Sequence, residues 1–357
     1  MKRLKVGIIG LGEVAQIIHL PILEALHEKF EIVAICDISN QLLNAMGEKY
    51  KVDRRFTDPK ELNAQKDLDA VFILTSNEYH ADYAIDALKN KKYVFLEKPM
   101  CFTLADADAI IKARDVSGVQ VMIGYMRRFA PAFTRAVAEV KNLKNINYVR
   151  IRDIIGQNRF FTEKTSNVIR PADIPEEAVK DRAERAKRMM REALGEVPQE
   201  LINTYRLLNG LSSHDVSAMR EMIGMPKRVI AAREWKNGNF INAIFEYDGF
   251  CVMFETGVDN QRRFDAHIEV YGDEKAIKVQ YDTPYIRHLP IMMQISETIG
   301  ESYSESEIRP TFLDPYTVEI EYFHDVATQG IIPKTTPEDA KEDLEIFQLI
   351  MEQLKKN

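Results

Sequence analysis

An apolar strand, Val6-Gly7-Ile8-Ile9, runs directly into Gly10-Leu11-Gly12-Glu13-Val14-Ala15, and no other feature restricts the fold of this chain as much. Glycines between a strand and a helix permit a turn too tight for side chains, and they leave backbone N–H groups at the helix start facing an anion. The next apolar run, 32–36, ends on Asp37, about 25 positions after Gly12 and near the ~20 at which an acid meets the ribose diol of a dinucleotide. Together these residues predict a dinucleotide-binding domain. Its cofactor should be NAD: the Asp37 carboxylate repels a 2′-phosphate, and Ile38-Ser39-Asn40 supply no arginine to offset it, which makes NADP the less favoured choice.

Short apolar strands alternate with helices up to Gly124, through 70–74, 93–96 and 119–123, the grammar of a doubly wound parallel sheet. Helices are expected from near Pro21, over about 79–89, and from Thr103, whose spacing to Asp106 is that of a capping box. After Gly124 the pattern changes. A helix should start at Pro131 and a strand should occupy 146–155. A charged helix over 175–194 carries one apolar stripe, Ala178, Val179, Ala183, Ala186 and Met190, and a further helix from Pro198 to Met222 is stopped by Gly224. Strand patterns at 228–232, 241–247, 250–255, 267–271 and 276–281 come next, separated by tight turns such as Asp248-Gly249, with helices over 316–329 and 337–354 to cover or latch the resulting sheet. The expected fold is an α/β Rossmann domain over 1–124 and an α+β C-terminal domain over 125–357, with a large, mostly antiparallel open sheet and a helical insertion at about 165–210. Two domains suit 357 residues of ordinary globular composition, 45% hydrophobic and 29% charged.

A net charge of −7 and the lack of any basic stripe interleaved with aromatics argue against nucleic acid as a partner. No stretch is long enough to span a bilayer, and Met1-Lys2-Arg3-Leu4-Lys5 enters the first strand without the pattern of a signal peptide, so a cytoplasmic location with no membrane partner is expected. The three cysteines lie far apart and match no metal or disulfide spacing; no metal is expected, and Cys101, close after Lys98, is a candidate cleft residue.

The run 93–96 closes on Glu97-Lys98-Pro99. A lysine at the carboxyl end of such a strand opens into the crevice where these sheets bind ligands. Oxidation of a secondary alcohol needs a base for the hydroxyl proton while hydride leaves the carbon, and a lysine serves if its pKa is lowered. Desolvation would lower it, whereas Glu97 aimed at the ammonium would raise it. His214 forms a polar spot on an otherwise apolar helix with Ser213 and Asp215, one turn after Gly210, which suits catalysis or substrate binding. Tyr125-Met126-Arg127-Arg128-Phe129 follows the last strand of the first domain and should face the cleft. In Thr75-Ser76-Asn77-Glu78-Tyr79-His80, short polar residues after another strand can cap the next helix and also meet the cofactor.

On Gly10-x-Gly12-x-x-Ala15, Asp37, Thr75-Ser76-Asn77-x-x-His80, Glu97-Lys98-Pro99, Gly124-Tyr125-Met126-Arg127-Arg128-Phe129 and His214-Asp215, nearly the whole chain resembles the glucose-fructose oxidoreductase and inositol dehydrogenase family, Gfo/Idh/MocA. The resemblance implies dimers or tetramers built through the C-terminal sheet, and Lys98 with His214 as the catalytic pair. It implies cofactor contacts from Gly10, Gly12, Glu13, Val14, Ala15, Asp37, Thr75, Asn77, His80, Glu97 and Lys98, and substrate contacts from Tyr125, Met126, Arg127, Asp153, Ser213 and His214. A cis Lys98-Pro99 bond is also in keeping with it. The implied reaction is NAD-dependent hydride transfer from a secondary hydroxyl of a cyclic polyol or sugar derivative. The alternatives are a sugar-modifying enzyme that recycles tightly bound NAD, and a non-catalytic sensor. One departure stands out: inositol dehydrogenases of the family carry an aspartate one helical turn before the histidine, where this chain has Gly210.

Overall fold

In the computed structural model, which describes residues 2–356, strands β1 (Leu4–Ile9), β2 (Phe30–Cys36), β3 (Arg54–Phe56), β4 (Ala70–Ile73), β5 (Tyr93–Glu97) and β6 (Val121–Gly124) form a parallel sheet in the order β3-β2-β1-β4-β5-β6. Helices cover both faces of such a sheet, so its strands read as continuous apolar runs; all four residues of β4 are buried. The strand order reverses between β1 and β4, the switch point at whose carboxyl ends these sheets bind ligands. Strand β3 was not expected: three residues, two of them arginine, carry no apolar signature, and they simply extend the edge along β2. The first helix is already under way after Gly12 and contains a π turn, Ala15–His19, so Pro21 lies inside it and is not its start.

Two further segments, 166–195 and 319–342, belong to this first unit. The charged helix Glu176–Leu194 buries Ala186, Met189, Met190 and Leu194, whereas Val179 and Ala183 of the expected stripe stay exposed, so only its C-terminal half is covered. It is tied to the unit by Tyr79 Oη donating to Asp181 (2.7 Å) and by Arg185 pairing with Asp82 (2.6 Å). The segment therefore belongs with the nucleotide-binding fold, whereas the sequence pattern assigns the 165–210 insertion to the C-terminal domain. The helix Pro315–Gln329 likewise serves the parallel sheet, although it was expected over the second one: Phe323 is fully buried with its ring centroid 5.3 Å from Phe72 and 5.5 Å from Phe95. Amphipathicity shows that a helix hides one face but not which sheet receives it.

The second unit holds β7 (Tyr148–Gly156), β8 (Arg228–Trp235), β9 (Phe240–Glu246), β10 (Cys251–Asp259), β11 (Phe264–Tyr271), β12 (Lys275–Tyr281), β13 (Met292–Ile299) and β14 (Ser302–Ile308) in the order β14-β13-β12-β11-β7-β10-β9-β8. Pairing is antiparallel throughout except between β7 and β10. Along β7, Val149, Ile151, Asp153 and Ile155 face the buried side, while Arg150 and Arg152 alternate onto the open one beside Glu255 and Asp265. Strands β13 and β14 went unread in the sequence; Ser302–Ile308 is a Ser/Glu run on an exposed edge without an apolar face, whereas β13 alternates and buries Met293 and Ile295. The helix expected over 198–222 is broken by a π turn, Leu208–Ser212, into Gln199–Leu207 and Ser213–Ile223.

The aromatic cluster gives a direct test of the first core. Phe323→Ala should cost about 3–5 kcal/mol, the usual range for a fully buried phenylalanine, read as a lower urea midpoint at unchanged m-value.

Candidate functional site

Gly10 has φ +96°, and a Cβ there would lie 2.8 Å from the backbone of Leu74 and Thr75. Only glycine fits this conformation and this approach, which seats the end of β1 against the exit of β4. At Gly12, by contrast, a Cβ would meet nothing within 4 Å, so the space in front of the helix start is open. Asp37 stands at the rim. Its Oδ2 accepts from Leu11 N (2.7 Å) and its Oδ1 from Ser39 N (2.9 Å); burial pushes its carboxyl up, and these N–H groups oppose that shift. Thr75 Oγ1 is shut off from solvent and makes no hydrogen bond. An open cradle at a helix start, an acid beside it and an orphaned hydroxyl fit a dinucleotide.

The other expected contacts have definite places. Glu13 pairs with Arg170 at 2.7 Å, and Ala15 is fully buried in the π turn that follows Val14. Asn77 opens a short 3-10 turn, Asn77–Tyr79, whose start has no side-chain cap, so the alternative role of helix capping is not the one these residues fill. His80 is fully buried, with Nδ1 2.8 Å from the Pro99 carbonyl and Nε2 3.1 Å from that of Thr75. It tethers the exit of β4 to the turn after β5.

That turn carries Lys98, half-buried, ahead of a cis bond to Pro99. Glu97, 6% exposed, places Oε1 2.7 Å from His19 Nε2 and accepts from the Lys98 backbone N–H through Oε2 at 3.1 Å. His19 was not singled out from the sequence. Its one signal was a histidine in an otherwise apolar helix face, Ile17-Ile18-His19-Leu20, directly after the glycine turn. Cys101, in contrast, is buried with its thiol donating to Thr103 O, and burial raises its pKa, so it does not line an accessible cleft.

In the second unit a 3-10 turn, Met126–Phe129, delivers Arg127 between two acids: Nη2 is 2.9 Å from Asp153 and Nη1 2.5 Å from Asp215. All three are nearly inaccessible, at 2%, 0% and 0% exposure, and the guanidinium lies over the rings of Tyr281 and Phe264. Burial and the neighbouring Asp153 push the Asp215 carboxyl well up. Arg127 and Asp153, expected at the substrate, thus engage each other and Asp215. Ser213 and His214 lie next to Asp215 on the same helix, both buried, and Ser213 Oγ makes no hydrogen bond. Met126 and Arg127 also line a small pocket with Tyr281, Arg287, Asp314 and Tyr316; the Arg287–Asp314 pair (3.3 Å) was invisible in the sequence because its members come from a loop and a helix start.

The family model GFO_IDH_MocA, described as an oxidoreductase family with an NAD-binding Rossmann fold, matches residues 4–125. Over those residues the chain is similar to the nucleotide-binding domain of that oxidoreductase family. It is similar to an inositol 2-dehydrogenase of Salmonella paratyphi B, 25% identical over 335 residues that cover 92% of this chain and 88% of that one. Two solved structures share the fold. One is an apo scyllo-inositol dehydrogenase from Lactobacillus casei (TM-score 0.73, 18% identity, 100% of this chain and 97% of that one). The other is an aldose-aldose oxidoreductase from Caulobacter crescentus (TM-score 0.74, 20% identity, 99% and 98%). Among the described residues no helix is long and apolar enough to cross a membrane, and no three His, Cys, Asp or Glu side chains are grouped to hold a metal ion.

For this oxidoreductase the tether at His80 has a measurable signature. Burial lowers the His80 pKa from the ordinary 6.5. Below that value the unfolded chain takes up a proton that the folded chain refuses, so this group removes stability as the pH falls through the unfolded pKa and contributes nothing above it. His80→Gln should therefore lose less stability than the parent between about pH 7.5 and about pH 5, measured by urea unfolding at each pH.

Proposed function

We propose that this oxidoreductase takes a hydride from a secondary hydroxyl of a cyclic polyol or sugar derivative, with NAD as acceptor, Lys98 as acid/base and His214 as a second group directed at the substrate. The observation that carries the reading is the fixing of Lys98 at the carboxyl end of β5, in the sheet whose β1 bears the open glycine cradle. Its neighbours are held on both sides, Glu97 by His19 and Pro99 by His80. Bound NAD would supply the hydride acceptor. Gly10, Gly12 and Thr75 would hold it, with Asp37 on the ribose diol. Lys98 would take the hydroxyl proton in oxidation and return it in reduction. The activity named for the inositol dehydrogenase relative supports a polyol or related sugar as substrate.

A panel of polyols and sugars, scored by reduced-nicotinamide absorbance at alkaline pH, tests the activity. Lys98→Ala should lose on the order of 10² to 10⁴ in kcat while still binding NAD. A variant that remains active removes lysine from the mechanism, and one that no longer binds NAD reduces it to a structural role.

A second reading, recycling of a tightly held cofactor, is favoured by one feature. Gln16 Nε2 donates to the carbonyls of Leu11 and Ile169, and Ile169 N donates back to Gln16 Oε1, which straps the 166–173 segment to the glycine turn. An aldose-aldose oxidoreductase is among the similar folds. NAD that co-purifies with the protein, and turnover of sugar without net absorbance change, would decide for it.

Gly210 is the specificity test. It lies in the π turn before His214, and a Cβ there meets nothing within 4 Å, so a side chain has room. Gly210→Asp would place a carboxylate about one turn before the imidazole and raise its pKa by charge attraction. The expected result is a shifted low-pH limb of kcat/KM, weaker use of the natural substrate, and small-polyol activity kept or increased. A variant indistinguishable from the parent in all three would place His214 outside the reaction.

A further inference from the structure

The 166–173 segment reaches one more point of the nucleotide half. Ser39 Oγ donates to Asp173 Oδ1 at 2.5 Å and Gln41 N to Oδ2 at 2.9 Å, across 134 residues of sequence, and the backbone N–H of Asn40 is directed at the same carboxylate. These donors stand two to four residues after Asp37, at the start of the helix Asn40–Tyr50 that Ser39 caps. The arrangement is held from a second side, since Ala172 N donates to Gln41 Oε1 at 3.0 Å.

In a dinucleotide fold the acid at the end of the second strand marks the ribose 2′-oxygen. A 2′-phosphate placed there would need a hydroxyl and free N–H groups at a helix start. Here those donors exist, and a carboxylate of the chain itself is seated on them. We propose that Asp173 is a specificity residue that occupies the 2′-phosphate position of the cofactor site, so that NADP is refused by an internal anion as well as by Asp37. The inference rests on the dinucleotide reading of the site given above. Two carboxylates act together: Asp37 keeps the ribose diol, and Asp173 takes the donors that a phosphate would use while adding its own charge against it. The donors hold the Asp173 carboxyl below its usual range, so it remains an anion at neutral pH, and its charge is one of the influences that raise Asp37.

The sequence shows why this residue escapes a motif search. Asp173 lies in a segment with no regular structure, Arg170-Pro171-Ala172-Asp173, far from the glycine turn and outside any nucleotide-binding pattern.

Binding of adenosine 2′,5′-bisphosphate and of 5′-AMP to the full chain, measured by calorimetry without turnover, tests the assignment. Asp173→Ala should bind the bisphosphate about tenfold tighter than the parent does while 5′-AMP changes little, with NADP and NAD following the same order. Asp173→Asn, which keeps an oxygen on the donors but removes the charge, should fall between the two and guards against a collapsed segment in the alanine variant. Equal changes for both nucleotides, or none for the bisphosphate, would assign Asp173 a merely structural role and overturn the proposal. A parent that binds neither 5′-AMP nor NAD would overturn the cofactor reading itself, and this inference with it.

Discussion

A carboxylate at the end of a strand whose last three apolar residues are fully buried needs a partner, and for Glu97 the partner is His19. Much of the candidate site depends on this contact. His19 is the last residue of the π turn beyond the glycine cradle, so the helix start that would face a pyrophosphate is joined directly to the turn that carries Lys98. The extra residue of a π turn rotates the next stretch of helix, and here it sets the imidazole among Phe72 and Phe95 with Nε2 directed at the acid. His80 ties the same turn to the exit of β4 from the other side. The backbone that carries the lysine is thus held through its neighbours on both sides.

The nucleotide half was largely legible because its rules are local. Gly10 must be glycine for its φ, Asp37 must close the second strand, and Thr103 caps its helix by accepting from Asp106 N; each depends on residues close in sequence. The illegible part is long-range. His19 meets Glu97, and Arg170 and Asp173 return to Glu13 and Ser39, through pairings that no periodicity encodes. The closing helix shows the same limit: its apolar face was plain, but the sheet that would receive Phe323 was not. In the second sheet the missed edge strand fails for a different reason. An exposed edge needs no apolar face, so Ser302–Ile308 has none to read.

The 166–195 segment changes how the family pattern applies to this chain. As an addition to the C-terminal domain, it would bear on substrate alone. Tied at Gln16, Glu13, Gln41 and Ser39, and then through its helix to Tyr79 and Asp82, it runs along the carboxyl ends of strands that would hold the cofactor. Its ion pairs are exposed and individually weak, whereas the reciprocal Gln16–Ile169 bonds are backbone-directed and shielded. That difference places the firm attachment at the glycine turn and the adjustable one along the helix.

In the second unit, charge arithmetic argues for a positioning role at Arg127. One guanidinium between two inaccessible carboxylates leaves a net negative charge if both acids ionise, and burial disfavours that state. Burial and the neighbouring Asp153 push the Asp215 carboxyl well up, the direction that relieves this charge. A buried, mutually paired cluster holds its members firmly. Arg127 comes from the turn after β6, Asp153 from the middle of the second sheet and Asp215 from the helix position directly after His214. The backbone at His214 is therefore fixed by its neighbour's contacts, just as the backbone at Lys98 is fixed by Glu97. In each unit a buried ionisable side chain, adjacent in sequence to the candidate reactive residue, sets where that residue stands.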